Sequence, residues 1–293
     1  MSVLDQYRAA GETSSYIAPI VNEGYRVVVT HGNGPQVGFI LMRSELAKDV
    51  LHPVPLANCV ADTQGAIGLQ IAQTLQNVFL QHGIEKQVVS IVTQVVVDED
   101  DPSFAAPSKP VGPFMGEMEA KQHEQEDGWA VAEDAGRGWR RVVPSPAPLK
   151  IIELPAIRTL IDSGALVVAV GGGGIPVVYK SDGTLRPRPA VIDKDAASCL
   201  LALELGASVL IFSTDVDKAT LHYGKPEQVE IDHMNVAECR QYLEEGHFAV
   251  GSMRPKIESA IRFLENGGQE VIITQPHRLE GALHGIYGTH IVP

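Results

Sequence analysis

Apolar positions along the chain fall into two alternating kinds of segment. Stretches 12–22, 36–49, 62–82, 152–163, 196–205 and 255–266 read as helices with one apolar stripe. Between them, 26–30, 87–97, 166–170, 208–213 and 270–274 are compact runs rich in valine and isoleucine, the mark of strands buried on both faces. Gly24 and Gly83 stand where the first and third helices should stop, because a left-handed terminal residue suits glycine. The repeated helix-then-strand order predicts an α/β fold with a mainly parallel central sheet covered by helices on both faces.

One segment breaks the alternation. Residues 98–149 hold Pro102, Pro107, Pro110, Pro113, Pro144, Pro146 and Pro148 together with both tryptophans, Trp129 and Trp139. Proline crowding over that length predicts an excursion, a small lid-like subdomain protruding from one domain that spans 1–293. At the start the order is also unusual. A helix comes first and residues 1–11 lack strand character, so the sheet is expected to miss a strand that a longer chain would supply.

Composition narrows the function classes. A formal charge of −13 over 293 residues argues against nucleic acid or an anionic membrane as partner, yet leaves room for a small phosphorylated ligand met by a few lysines. Hydrophobic residues make up 44% and aromatics 5%, so the core is expected to be aliphatic. Cys59, Cys199 and Cys239 are widely spaced without a CxxC pair, which points to buried thiols in a reducing cytoplasm. No apolar run approaches membrane-spanning length.

Four places bring ligand-type groups to the ends of strands. VVVTHGNGPQVG (27–38) runs from a strand through Gly32, Asn33 and Gly34 into a helix, and LVVAVGGGGIP (166–176) ends a strand in Gly171, Gly172, Gly173 and Gly174. Such turns let a backbone approach a ligand and aim helix amides at an anion. VIDKD (191–195) and GSMRPK (251–256) place Lys194 and Lys256 near helix starts, where the dipole disfavours a cation unless an anion binds there too. Lysines on either side of a glycine turn suit phosphoryl transfer, which asks for charge neutralisation and alignment more than covalent help. The GxxxxGK[ST], HExxH, GxSxG and CxxC patterns are absent. His31, His82 and His247 lack metal-ligand spacing, so no protein-held metal is expected; the acidic run 98–101 reads as a solvated turn.

Taken together, VVVTHGNGPQVG, ADTQGAIG (61–68), PSKPVGPF (107–114), VAEDAGRGWRRVVPSP (131–146), AVGGGGIPVV, AVIDKDAAS and EGHFAVGSMRPK resemble the carbamate kinases of the amino-acid-kinase superfamily. The resemblance runs in order from about residue 19 to the end. It implies a three-layer αβα sandwich, a homodimer, and reversible phosphoryl transfer between ATP and carbamate with Mg²⁺, serving mainly ATP synthesis from carbamoyl phosphate in arginine, agmatine or related nitrogen catabolism. It also implies site residues. Lys109 reaches the carbamoyl or phosphoryl group, Lys194 and Lys256 stabilise the migrating phosphoryl, and Asp195 orients those lysines. Gly32, Asn33 and Gly34 lie on the carbamate side. Gly171, Gly172, Gly173, Gly174, Thr214, Asp215, Asp217, Tyr223 and Met253 face the nucleotide. The chain departs from the family pattern at its start, where the first strand and a Gly-Gly-Asn-Ala turn are missing. The alternative expectation is therefore a catalytically impaired relative. An acetylglutamate- or aspartate-type kinase is disfavoured by the Lys109 segment, and a nicotinamide-binding module by the two lysine motifs.

Overall fold

The computed structural model describes residues 2–134 and 136–293. Its first element is helix α1 (Val3–Asn22), started by a reciprocal cap: Ser2 Oγ accepts from the Asp5 amide and the Asp5 carboxylate accepts from the Ser2 amide. That cap carries the helix well upstream of the start expected at residue 12. Next come β1 (Val28–Val29), α2 (Gly34–Leu46), α3 (Leu56–His82), β2 (Val88–Ser90) and β3 (Gln94–Val97). Gly83, left-handed at φ 66°, ends α3 as expected.

The excursion follows, built from β4 (Lys109–Met115), α4 (Glu117–Glu126), β5 (Ala130–Glu133) and β6 (Trp139–Val143). The chain then returns through β7 (Pro148–Ile151), α5 (Leu154–Asp162), β8 (Leu166–Val168), β9 (Ile175–Tyr179), β10 (Leu185–Pro187) and α6 (Lys194–Leu205). The last third holds β11 (Val209–Ser213), β12 (Thr220–Leu221), β13 (Val229–Glu230), β14 (His233–Asn235), α7 (Val236–Glu244), α8 (Met253–Glu265), β15 (Glu270–Thr274), α9 (Leu279–Leu283) and β16 (Thr289–Val292).

The central sheets are built mainly of parallel pairs, with antiparallel pairs added to them. Strand β8 lies between β1 and β2, parallel to both; β3 pairs parallel with β9, and β11 with β15. Strands β7 and β10 add antiparallel edges, while β16 lies between β15, antiparallel to it, and the edge strand β14, parallel to it.

Side-chain alternation shows why this makes three layers. On β8, Leu166 and Val168 pack with Ile17, Leu75 and Phe79 of α1 and α3, while Val167 between them packs with Ile157 of α5 and Leu200 and Leu201 of α6. Strand β1 repeats the split, with Val29 on the first side and Val28 on the second. On β11, Ile211 faces the α1 and α3 layer, whereas Leu210 and Phe212 join Ile257, Ala260 and Phe263 of α8. Both sheet faces are covered, and each fully buried aliphatic or aromatic side chain contributes about 1.5–3 kcal/mol.

Antiparallel pairing of β3 with β7 forms a stem from which the excursion rises. Above it, β4, β6 and β5 make a three-stranded antiparallel sheet with α4 beside it. This sheet rests on α2, where Gly38 faces the Gly112 backbone so closely that a methyl group on Gly38 would lie 3.6 Å from the Gly112 Cα. Val111 and Val143 join Val37, Cys59 and Val60 in one apolar cluster beneath it.

Candidate active site

The site grows from the start of α6. Asp193 caps that helix, with Oδ1 accepting from the Asp195 amide at 2.9 Å and the Ala196 amide at 3.2 Å. Lys194 and Asp195 therefore occupy the first turn. The sequence placed the start at Ala196, because an Asp-Lys-Asp run reads equally well as loop.

Two lysines from remote segments are tied to this turn, beside its own Lys194. Lys256, in the first turns of α8, sets its ammonium 3.0 Å from Asp195 Oδ2, and both side chains are less than a tenth exposed. Its Nζ also lies 3.4 Å from the Ser252 carbonyl and 5.9 Å from the centre of the Phe212 ring. Lys109, the first residue of β4, donates to Asp193 Oδ2 at 2.8 Å. Lys194 runs along Gly32: a methyl group on that glycine would sit 3.3 Å from Lys194 Cδ and 3.7 Å from its Nζ. The expected residues Lys109, Lys194, Asp195 and Lys256 are thus brought together. Asp195 holds one lysine, Lys256; the partner of Lys109 is Asp193.

Burial acts to raise the Asp193 carboxyl, but the charge and hydrogen bond of Lys109 and the two capping amides prevail and hold it below the usual carboxylate range. Asp193 stays an anion, as its pairing with the Lys109 ammonium favours.

Asn33 and the two glycines beside it line the adjoining edge. Gly32 and Gly34 are exposed and Asn33 is buried. Although Asn33 precedes α2, its side chain does not cap the helix; Nδ2 donates instead to Thr63 Oγ1 of α3 at 2.9 Å. The first amides of α2 are left without a side-chain cap beside Lys194. A hydrogen bond between Thr30 and Ser198 hydroxyls, 2.8 Å long, locks the same loop to α6.

The four-glycine turn packs closely against the Gly32 loop and the approach to α6. Gly171, Gly172, Gly173 and Gly174 are buried, and the amides of the last three donate to the carbonyls of His31, Val170 and Gly171. A methyl group on Gly171 would overlap the His31 ring, on Gly172 the Asn33 amide, on Gly173 the Ile192 carbonyl and on Gly174 the Val95 side chain. Glycine is required here so that the Gly32 loop and the approach to α6 can close on one another. Thr93 Oγ1 receives the Val170 amide at 3.0 Å where the chain turns left-handed at φ 55°, a strained angle for a β-branched residue. Burial pushes the His31 imidazole below its ordinary value, against a hydrogen bond to the Gly32 carbonyl.

A second group gathers at the ends of β11 and β15. Thr214 donates its amide to the Thr274 carbonyl at 2.9 Å, Gln275 Nε2 donates to the Asp215 carbonyl at 2.7 Å, and Arg278 grips Asp217 Oδ2 at 2.5 Å. Asp217 Oδ1 and Thr274 Oγ1 are buried without a partner among the described residues. Met253 opens α8 and is partly buried against the core behind it. Tyr223 is 68% exposed, next to His222 in a left-handed conformation at φ 52°. Lys256 bridges the two groups, touching α6 through Asp195 and β11 through Phe212.

Residues 2–275 match the model of the amino acid kinase family. The chain belongs to the amino acid kinase family. Several relatives within it are alike over nearly their whole length. A carbamate kinase-like protein of Escherichia coli K12 (YahI) is 48% identical, over 99% of this chain and 93% of its own. A carbamate kinase of Pyrococcus horikoshii is 47% identical, over 96% and 90%. Among solved structures, carbamate kinase from Giardia lamblia bound to AMP-PNP superposes with a TM-score of 0.91 at 41% identity, covering 98% of this chain and 90% of that one. The matched stretch of this amino acid kinase contains Lys109, Lys194, Asp195 and Lys256, the residues the fold gathers at α6.

Sequence reasoning missed two members of the site. Asp193 was visible only as part of the IDKD string, and its cap signature before a helix was the available signal. Thr63 lies on α3 and nothing in its own segment marks it as the partner of Asn33.

Proposed function

We propose that this chain is a carbamate kinase, transferring a phosphoryl group reversibly between ATP and carbamate to give ADP and carbamoyl phosphate. The observation that carries the reading is the convergence of Lys109 and Lys256 on the single helix turn of Asp193, Lys194 and Asp195, where Lys194 runs along Gly32. Identity of 44–48% to relatives named carbamate kinase or carbamate kinase-like supports it.

In the transfer, an oxygen of carbamate attacks the γ-phosphorus as the bond to the β-phosphate oxygen breaks, and ADP leaves. Carbamate is already an anion, so no general base is needed. The difficulty is to bring anions together and hold them in line. Lys194, beside the exposed Gly32 backbone and the uncapped start of α2, supplies positive charge where carbamate and the migrating group meet. Lys256 approaches from the nucleotide side, its ammonium held by Asp195. Lys109 closes from the protruding sheet.

Nucleotide contacts fall to the Thr214, Asp215 and Asp217 turn, Met253 and Tyr223, where the orphaned Asp217 Oδ1 and Thr274 Oγ1 suit a polar ligand. Mg²⁺ fits as a companion of the nucleotide phosphates. Both carboxylates at α6 are occupied by lysines, which leaves phosphate oxygens and water to form most of the ion's shell. A homodimer, a cytoplasmic location and the supply of ATP from carbamoyl phosphate in nitrogen catabolism belong to the same proposal.

The test is ATP formation from ADP and carbamoyl phosphate by the purified chain, run beside ATP consumption with acetylglutamate or aspartate. Turnover with carbamoyl phosphate alone is expected. Turnover only with a carboxylate amino acid, or nucleotide binding with no transfer at all, would overturn the reading.

A further inference from the structure

Asp193 divides its two carboxylate oxygens between two parts of the molecule. Oδ1 takes the amides of Asp195 and Ala196 and so starts α6. Oδ2 takes the Lys109 ammonium, which arrives from the protruding sheet across 84 positions of sequence. If capping were its only role, the second oxygen would need no protein partner. The same sheet meets this region again through the Val191 amide, which donates to the Pro144 carbonyl at 3.0 Å just beyond β6. It also meets α2, where Glu45, His123 and Asp127 place ligand-type atoms within 4.8 Å of one another. Of these ties, the Asp193 pair is the one that ends on a residue proposed to touch the reacting group.

We propose that Asp193 is a positioning residue for phosphoryl transfer, holding the Lys109 ammonium of the protruding sheet in register with Lys194 and Asp195 on the helix that it caps. The inference rests on the carbamate kinase reading above. Asp193 acts through Lys109 and not on the migrating group. Because one rigid carboxylate fixes both the helix start and the lysine, the protruding sheet cannot shift without moving Lys109 relative to α6. The pair thereby converts closure of the sheet into alignment of charge.

Asp193→Asn separates the two roles. Asparagine caps a helix as well as aspartate does, but its amide nitrogen cannot accept from an ammonium. Asp193→Ser, which keeps a capping hydroxyl and removes the second oxygen, is the companion variant should the first fold poorly. Both are expected to melt close to the wild type. Their kcat for ATP formation should fall about ten- to a hundredfold, with KM for ADP unchanged. In a Lys109→Ala background the same substitution should change kcat by less than about twofold. Hydrogen exchange of the Lys109 and Val111 amides should quicken about tenfold, while the first turn of α6 keeps its protection. Wild-type kcat with unchanged exchange at Lys109 and Val111, or an equal loss of rate in both backgrounds, would overturn the proposal. Should the wild-type chain form no ATP, the carbamate kinase reading fails on its own, and the exchange experiment still decides whether Asp193 holds the sheet.

Discussion

Replacing Lys256 with methionine removes a charge from inside the protein and leaves its partner behind. At 3.0 Å the Lys256 and Asp195 charges attract by about 5–6 kcal/mol at an effective dielectric of about 20. Withdrawing each ion from water costs several kcal/mol, so the intact pair contributes little net stability. Deleting one member is different: Asp195, 7% exposed, becomes a buried carboxylate without compensation. Lys256→Met should therefore cost about 3–5 kcal/mol, or roughly 6–10 °C in melting temperature for a chain of this size. A second substitution isolates the cause. Lys256→Met with Asp195→Leu removes both charges and should restore most of the stability, because an apolar pair of similar volume is tolerated there. Activity should separate from stability in this series. Both proteins lose a donor to the migrating phosphoryl, so kcat should fall about 10²–10³-fold in each. Differential scanning fluorimetry and a coupled ATP-formation assay read the two quantities. A single variant that melts like the wild type, or a double variant as unstable as the single, would refute the reasoning.

Gly172→Ala should be among the most damaging single-methyl changes, since its φ of 65° disfavours a side chain and the added carbon overlaps the Asn33 amide; kcat falls and the melting temperature drops together, and near-wild-type behaviour would show that the two loops do not meet there. The thiols of Cys59 and Cys199, each pushed up to about 11, and of Cys239, pushed up to about 12, are buried, mainly through desolvation. At pH 8 the native protein should react slowly with a thiol-specific chromogen and yield three equivalents once denatured. His31 is held below its ordinary value of 6.5 by burial, so the unfolded chain takes up a proton that the folded one resists. Stability is therefore full above about pH 6.5 and declines as pH falls below it. Urea titrations at pH 7.5, 6 and 5 should show a steeper loss for the wild type than for His31→Gln, and equal slopes would contradict this.

Much of the architecture could be read from periodicity. Strand β8 is an unbroken apolar run because alternate residues serve opposite helix layers, and that pattern needs no tertiary knowledge to recognise. Helix starts were harder. Those of α1 and α6 lie upstream of the expected positions because polar side chains, Ser2 and Asp193, create them through hydrogen bonds that hydropathy does not register. At the site, lysines placed against the helix dipole were a legible anomaly, and Lys194 and Lys256 stand as expected at the first turns of α6 and α8. The partner of Lys109 was not legible, since the contact joins segments 84 positions apart and depends on how β4 descends onto α6. The glycine run reads two ways for a physical reason. Glycines that allow a ligand to approach and glycines that allow another loop to approach look alike in sequence; the His31, Asn33 and Ile192 contacts show the second role.

The measurement that bears most directly on the account is kcat for ATP formation from carbamoyl phosphate by Lys194→Ala. Lys194 follows an exposed glycine and neither flanking carboxylate pairs with it among the described residues, so its loss should leave the fold intact. A fall of about 10²–10³-fold at a wild-type melting temperature is the result the account predicts. A rate within about twofold of the wild type, too small for the loss of a donor to the transferring group, would contradict it.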